Sequence, residues 1–197
     1  MLGRLMTVSL LSVLGMAQVG FPSISSVPAL VASENTQGTS LAPFVPTPQE
    51  VVDRMLALAE VTSDDVVYDL GCGDGRIVIT AALNFGARGV GIDIDPKRIA
   101  ESEANAKKAG VDHLVSFKLQ DAMTVDVSEA SIVTLYLLSS SNLKLRPMLT
   151  QQLKPGSRIV SHAFSMGDWE PATVDTFADA RGTTRTLYLW RADGTVR

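Results

Sequence analysis

The sequence predicts an α/β fold in which a mostly parallel sheet of seven strands carries helices on both faces. An apolar run at 66–68 leads into a glycine-rich turn and then into a helix-like stretch at 76–83, which is typical of a βα unit. Further apolar runs alternate with helical periodicity along the chain. The last two strand-like segments flank the turn 179–183, which predicts an antiparallel hairpin at the carboxyl end.

Composition limits the classes of function. The 197 residues are 46% hydrophobic, enough for one globular domain with additional segments, and the net charge is −4. Nucleic acid is a poor partner for this chain because binding it requires a surface rich in Lys and Arg. The single cysteine, Cys72, lies in the glycine turn without a neighbouring base, which favours a packing role over a nucleophilic one.

Residues 1–33 carry one charged side chain, Arg4, and include an apolar stretch over residues 5–21. This pattern predicts a signal peptide or a membrane anchor, followed by a linker at 34–42 and a folded domain at 43–197. The chain would then be exported or associated with a membrane through 5–21, and cytoplasmic if the segment is not used.

The folded part opens with a proline-rich stretch at 43–47. Thr47, Pro48 and Glu50 have the spacing of a capping box, so we expect a helix to begin at Pro48. The stretch itself is extended and proline-rich, which excludes a central strand. It is either a lid that places Phe44 on a ligand or a plain docking arm.

The glycine turn at 69–75 has the pattern D-x-G-x-G-x-G, with Asp69 before Gly71 and Gly73. Its glycines allow a ligand to approach the backbone closely. A dinucleotide fingerprint would need a third glycine where Arg76 stands. The turn therefore disfavours a pyrophosphate, and its leading acid suits a ligand that carries an ammonium group.

A second acid, Asp93, ends the next strand-like segment, 24 residues after Asp69. An acid at this spacing reaches ribose hydroxyls in nucleotide-binding folds. S-adenosylmethionine has both a ribose and an ammonium group. The stretch resembles the cofactor site of the Rossmann-like class I S-adenosylmethionine-dependent methyltransferases, and the resemblance implies that Asp121, after the third strand, hydrogen-bonds the adenine amino group.

The remaining elements follow in order. Asp95 and Pro96 predict the start of a helix that ends at Gly110, whose charged residues, Arg98 among them, are expected on a solvated face. The other expected elements are strands at 115–119, 131–138, 157–161, 172–177 and 185–190, and a helix at 143–153 whose start is expected as late as Pro147.

The carboxyl end of the fourth strand, residues 136–142, lies where open α/β sheets place their reaction site. The Asp/Asn-Pro-Pro-Tyr signature of many amino-methyltransferases is absent there. Tyr136 and Phe44 are the candidate catalytic residues. His162 is either a structural residue or part of the site, and Trp169 lines a substrate channel or caps the core. Two isolated histidines predict no metal site.

A closer resemblance includes 43–47, 69–78 and 164–169, with the segment Asp74-Gly75-Arg76-Ile77-Val78 as its most specific part. These segments resemble the ATP-synthase c-subunit lysine methyltransferases and their bacterial relatives, which implies protein-lysine N-methylation. A small-molecule methyltransferase and a non-catalytic nucleoside-binding protein are the alternatives. The predicted cofactor-binding residues are Thr47, Asp69, Gly71, Gly73, Asp93 and Asp121.

Overall fold

The computed structural model describes residues 41–197. The predicted signal or anchor segment at 1–33 and most of the predicted linker lie outside the described residues. A compact unit spans Thr36–Arg197. Within the described part of the chain, no helix has the length and apolar character needed to cross a membrane.

Helices and strands alternate along the described residues, as the sequence predicts. The helices are α1 (Gln49–Leu58), α2 (Arg76–Phe85), α3 (Pro96–Ala109) and α4 (Ser139–Gln152), with a short 3-10 helix at Ala122–Thr124. The strands are β1 (Val66–Leu70), β2 (Arg88–Asp93), β3 (Val115–Leu119), β4 (Ile132–Leu135), β5 (Arg158–His162), β6 (Thr173–Ala178) and β7 (Thr184–Arg191).

The strands form one sheet in the order β3-β2-β1-β4-β5-β7-β6. The first five strands in this order pair in parallel, whereas β7 is antiparallel to both β5 and β6. The predicted fold class and the carboxyl-terminal hairpin are therefore confirmed. The strand order reverses between β1 and β4, and in open α/β sheets a ligand crevice lies at the carboxyl ends of the strands at such a point.

Each face of the sheet buries its own hydrophobic core. Helices α1 to α3 pack on one face, where Val51, Met55, Val78 and Leu187 are buried in the same cluster. Helix α4 covers the other face, and its buried Leu145 and Leu149 belong to a second cluster that includes Trp190. The two layers hold the strand ends, and so the crevice, in a fixed position.

The predicted capping box at the start of α1 is wrong. The helix is preceded by Pro48, and no side chain caps its first turn. Thr47 is buried and Glu50 instead accepts the backbone N–H of Ala180 at 2.9 Å. The Thr47 side chain is therefore buried rather than capping, and a tertiary hydrogen bond engages Glu50. The prediction for α3 is confirmed, since Asp95 accepts the N–H of Lys97 at 2.8 Å.

Helix α4 begins at Ser139, eight residues before Pro147, whereas the sequence predicts a start as late as the proline. Proline removes one helical hydrogen bond, and this loss is tolerated at an exposed position of the helix, since both Pro147 and Leu143, four positions earlier, are exposed. The fourth strand is correspondingly shorter than predicted, because the chain leaves the sheet after Leu135.

Candidate active site

A cavity of about 270 Å³ lies at the carboxyl ends of β1, β2 and β4. It coincides with the crevice that the strand order predicts. The structure brings together all eight residues that the sequence assigns to a site, since every one of them lines this cavity. They are Phe44, Thr47, Asp69, Gly71, Gly73, Asp93, Asp121 and Tyr136.

The Asp69 carboxyl group is buried at the cavity, with 2% of the residue exposed. It accepts a hydrogen bond from the Thr134 hydroxyl at 2.8 Å. No Lys or Arg of residues 41–197 forms an ion pair with it. Burial and the charges of Asp93 and Asp74 raise the pKa of Asp69 to about 7, although the hydrogen bond from Thr134 opposes the shift. The site therefore fits a cationic group, such as an ammonium, that would compensate this carboxylate.

Backbone hydrogen bonds tie the glycine turn to β2. The N–H of Gly71 donates to the Ile92 carbonyl at 2.8 Å, and the N–H of Gly73 donates to Asp93 Oδ2 at 2.9 Å. The other oxygen of Asp93 accepts the N–H of Asp95 at 3.0 Å. These bonds fix the Asp93 carboxylate beside the turn, where a nucleoside hydroxyl could reach it.

The Asp121 carboxylate caps the 3-10 helix that follows β3. Its Oδ1 accepts the N–H of Met123 at 2.8 Å, and no described residue is hydrogen-bonded to its Oδ2. The preceding residue, Gln120, donates its N–H to the Asp93 carbonyl at 2.9 Å. The ends of β2 and β3 are thus joined, and both acids face one cavity.

Arg76, which stands where a dinucleotide fingerprint has its third glycine, supports the cavity wall. Its Nε donates to Asp74 Oδ1 at 2.9 Å, and its Nη1 donates to the Thr47 carbonyl at 2.7 Å. The Asp74 carbonyl in turn accepts from Asn105 Nδ2 at 2.9 Å. The Asp74-Gly75-Arg76 motif therefore anchors the chain just before α1.

Residues 41–47, here called the proline segment, run along the mouth of the cavity. Ser141 of α4 donates to the Leu41 carbonyl at 2.6 Å, which holds one end, and Arg76 holds the other. Between these points the Phe44 ring lies so close to Gly73 that a Cβ on that glycine would be 2.4 Å from it. This placement agrees with the lid interpretation of the segment.

Arg98 is a cavity residue that the sequence pattern does not reveal. Its guanidinium carbon lies 4.3 Å from the centroid of the Phe44 ring, and it lines the cavity. The expectation that Arg98 belongs to a solvated face of α3 is therefore wrong. A cation over an aromatic ring is attractive, but no local pattern indicates a partner 54 positions earlier in the sequence.

The other side of the cavity is formed by Tyr136, directly after β4. The ring centroids of Tyr136 and His162 are 4.1 Å apart, and Phe164 is 6.4 Å from Tyr136. Burial and the charge of Arg185 lower the pKa of His162 to about 4, so its imidazole is neutral at neutral pH. Asn142 is fully buried and donates to Ser161 Oγ at 3.1 Å, so it does not reach the cavity.

Trp169 and Cys72 are packing residues. The Trp169 ring lies 5.9 Å from that of Trp190, and its carbonyl accepts the Trp190 indole N–H at 2.8 Å, which favours the core-capping alternative. Cys72 is buried beside Gly91, and burial raises the pKa of its thiol, so the thiolate is not formed.

The strand order, the glycine turn and the acids that end β1 and β2 define a class I S-adenosylmethionine-dependent methyltransferase. A family model described as the ANTKMT methyltransferase domain matches residues 69–173, and the chain belongs to this family. The predictions of a methyltransferase and of S-adenosylmethionine as its cofactor are confirmed.

Relatives of known name agree with this class. A protein-lysine N-methyltransferase of Saccharolobus islandicus is 48% identical over 149 residues, which cover 75% of this chain and 92% of that protein. The human lysine N-methyltransferase of the ATP-synthase c-subunit is 30% identical, over 67% of this chain and 56% of its own length. The chain thus spans about half of the human relative, and the resemblance to that family is confirmed.

A solved structure with the same fold matches most of the chain. It is described as an RNA methyltransferase from Salinibacter ruber in complex with S-adenosyl-L-homocysteine. The two chains are 54% identical with a TM-score of 0.73, and the match covers 78% of this chain and 97% of the other. The relative from Saccharolobus islandicus is thus described as a methyltransferase of protein lysine, and the one from Salinibacter ruber as a methyltransferase of RNA.

Proposed function

We propose that the chain transfers a methyl group from S-adenosylmethionine to the side-chain amine of a protein lysine. The observation that carries the proposal is the uncharged acceptor side of the cavity. Tyr136 forms its wall together with Leu137, which lines the cavity and is 4% exposed. The names of the Saccharolobus islandicus and human relatives support a lysine acceptor.

Three acids on neighbouring strand ends would hold the cofactor. Asp69 would face the ammonium group, because its buried carboxyl lacks a cationic partner among the described residues. Asp93, held beside the glycine turn, would accept from the ribose hydroxyls. Asp121 would accept from the adenine amino group with the oxygen that the 3-10 helix leaves unused.

When bound, the cofactor supplies a methyl group already activated by its sulfonium, so transfer to an amine needs no strong base. The chain's residues must place a neutral amine and exclude water. An apolar surround such as Tyr136 and Leu137 favours the neutral form, because desolvation lowers the pKa of a lysine. The proline segment would exclude water from the opposite side.

RNA is the competing acceptor, and the 54% identity to a protein described as an RNA methyltransferase favours it. The electrostatics of this chain argue against it, since phosphate contacts dominate RNA affinity. The net charge is −4. The two cations at the cavity are already paired, Arg76 with Asp74 and Arg98 with Glu101 at 2.6 Å.

A labelling experiment separates the two acceptors. Extract from source cells that lack the chain is incubated with purified full-length protein and methyl-labelled S-adenosylmethionine, and then divided between protease and ribonuclease treatment. We expect label that survives ribonuclease and appears as methyllysine after acid hydrolysis. Ribonuclease-sensitive label would assign RNA as the acceptor and overturn the proposal. An Asp69→Ala variant gives the background without cofactor binding.

We also propose that residues 1–33 direct the chain to a membrane or into an export pathway. The support comes from the sequence alone, namely Arg4 followed by the apolar stretch at 5–21. Fractionation of source cells, with the full chain compared with a chain that lacks 1–33, tests this. Equal distribution of the two between membrane and soluble fractions would contradict it.

A further inference from the structure

A buried polar group without a hydrogen-bond partner, on His162, lies against Tyr136 of the cavity wall. Three buried side-chain atoms of the described residues lack a hydrogen bond, namely Asn142 Oδ1, Arg146 Nε and His162 Nδ1. All three belong to α4 or to the end of β5. Ala163, which directly follows His162, has a φ of +67°, a value that residues other than glycine rarely adopt.

The unpartnered buried atoms and the left-handed backbone at Ala163 both lower the stability of the folded protein. A buried ring nitrogen without a partner lowers the stability of the fold, and a left-handed non-glycine residue lowers it further. His162 is 1% exposed, so an apolar side chain could fill its position without burying an unpartnered nitrogen. Such costs persist mainly at functional sites, where the surrounding structure enforces them.

The surrounding contacts do enforce this arrangement. Asn142 Nδ2 donates both to Ser161 Oγ at 3.1 Å and to the Phe164 carbonyl at 3.0 Å. Ser161 Oγ donates to the same carbonyl at 2.7 Å, and the N–H of Ala163 donates to the Thr186 carbonyl at 2.8 Å. The turn after β5 is therefore fixed on both sides, and with it the ring of His162.

The fixed imidazole lies against Tyr136. The two ring planes are inclined by 32°, with their centroids 4.1 Å apart. Tyr136 lines the cavity, whereas His162 does not, so His162 lies behind the tyrosine. Because burial lowers the pKa of the imidazole to about 4, it is a weak base for the acceptor amine, and its ring contacts Tyr136.

We propose that His162 is a positioning residue of the acceptor site, whose neutral ring holds Tyr136 as the aromatic wall against which the lysine amine is placed. The proposal rests on the lysine acceptor proposed above. It makes the turn after β5 part of the acceptor site through Tyr136, and it explains why an unpartnered histidine occupies a buried position at the end of this strand.

The test uses full-length protein and total protein from an extract of source cells that lack the chain, with methyllysine formation as the readout. His162→Leu removes both the ring and the unpartnered nitrogen. We expect an unchanged or higher Tm, since the stability cost disappears, and at least about a tenfold loss of rate at low extract concentration. S-adenosylhomocysteine affinity, measured by calorimetry, should stay within about twofold. His162→Phe, which keeps a ring against Tyr136, should recover much of the rate.

A double-mutant cycle with Tyr136→Leu identifies the route of the effect. If His162 acts through Tyr136, His162→Leu has little further effect once Tyr136 is leucine. Val160→Ala, a buried change on the same strand, is the control for general destabilisation. Independent losses in the cycle, or a loss of rate that follows Tm as it does for Val160→Ala, would overturn the proposal. Absence of methyllysine with the wild type would instead overturn the lysine acceptor.

Discussion

At the scale of single residues, the site depends on carboxylates that are held by backbone groups. Asp93 accepts from two backbone N–H groups and Asp121 from one, so neither acid needs a basic side chain to fix it. Asp69 differs, because its burial is compensated only by the Thr134 hydroxyl. The three acids are therefore expected to respond differently to substitution.

Asp69 should make the ligand-free protein less stable as pH rises. Its folded pKa of about 7 lies above the unfolded value of about 3.9, so the folded state holds the extra proton between these values. The contribution of Asp69 to the free energy of unfolding is fully present below about pH 4. It decreases by roughly 4 kcal/mol in total as pH rises to about 7, and it does not change at higher pH. Asp69→Asn should therefore raise Tm more at about pH 8 than at about pH 5.

The measurement is a series of thermal melts of the wild type and Asp69→Asn between about pH 5 and about pH 8. Saturating S-adenosylhomocysteine should reduce the difference in Tm between the two proteins, because its ammonium group compensates the carboxylate that only the wild type carries. A difference in Tm that does not change with pH would contradict the shifted pKa.

Asp93→Asn should weaken cofactor binding about 10- to 100-fold, since hydrogen bonds to a charged group contribute about 1.5–3 kcal/mol. Asparagine keeps one acceptor oxygen for the glycine turn, so the fold should be preserved. Asp112→Asn is the matched control, because it changes the charge equally at an exposed residue that does not line the cavity. Calorimetric titration with S-adenosylhomocysteine measures both. Unchanged affinity in Asp93→Asn would remove the ribose assignment.

At the scale of elements, the proline segment connects parts of the site that are distant in sequence. Ser141 fixes its start, Arg98 and Gly73 contact its centre, and Arg76 fixes its end. Three helices and the glycine turn thus hold one extended stretch over the cavity. Phe44 remains 48% exposed in this position, so part of its ring is available to an incoming acceptor.

Phe44→Ala should lower turnover more than cofactor affinity. The acids that would bind the cofactor remain in place, while the ring that covers Gly73 is lost, so water exclusion and acceptor placement suffer. Val174→Ala, a similarly exposed apolar residue at 53% that does not line the cavity, should leave both quantities nearly unchanged. Steady-state kinetics on the extract protein and calorimetry measure the two effects. Equal losses in both would make Phe44 part of the cofactor site itself.

The elements around the cavity show which features can be predicted from a sequence. The glycine turn and Asp93 are predictable because their signals are local, a short motif and a fixed spacing after it. An equally local rule gives Thr47 a capping role, but Arg76 holds its carbonyl and its side chain is buried. The contact of Arg98 with Phe44 exists only after folding, so no local pattern predicts it. The early start of α4 cannot be predicted from the sequence either, because the exposure of Pro147 depends on the folded structure.

At the scale of the whole molecule, the sheet order explains why one cavity collects residues from separate segments. Parallel strands bring their carboxyl ends to one edge, so Asp69, Asp93, Asp121 and Tyr136 meet although 67 positions separate the first from the last. The fold class is predictable because each βα unit carries its own periodicity. The acceptor side is less predictable, since its usual signature is absent and the contact of His162 with Tyr136 depends on tertiary packing.

The described residues include all eight residues that the sequence assigns to the site, which predicts the behaviour of shortened chains. A fragment of residues 36–197, the compact unit, should bind S-adenosylhomocysteine as the full chain does and have the same Tm. A fragment of 48–197 keeps the three acids but lacks the proline segment, so its affinity should fall less than its turnover. Loss of binding already in 36–197 would show that residues before 36 contribute to the cofactor site. Full turnover in 48–197 would show that the proline segment is only a docking arm.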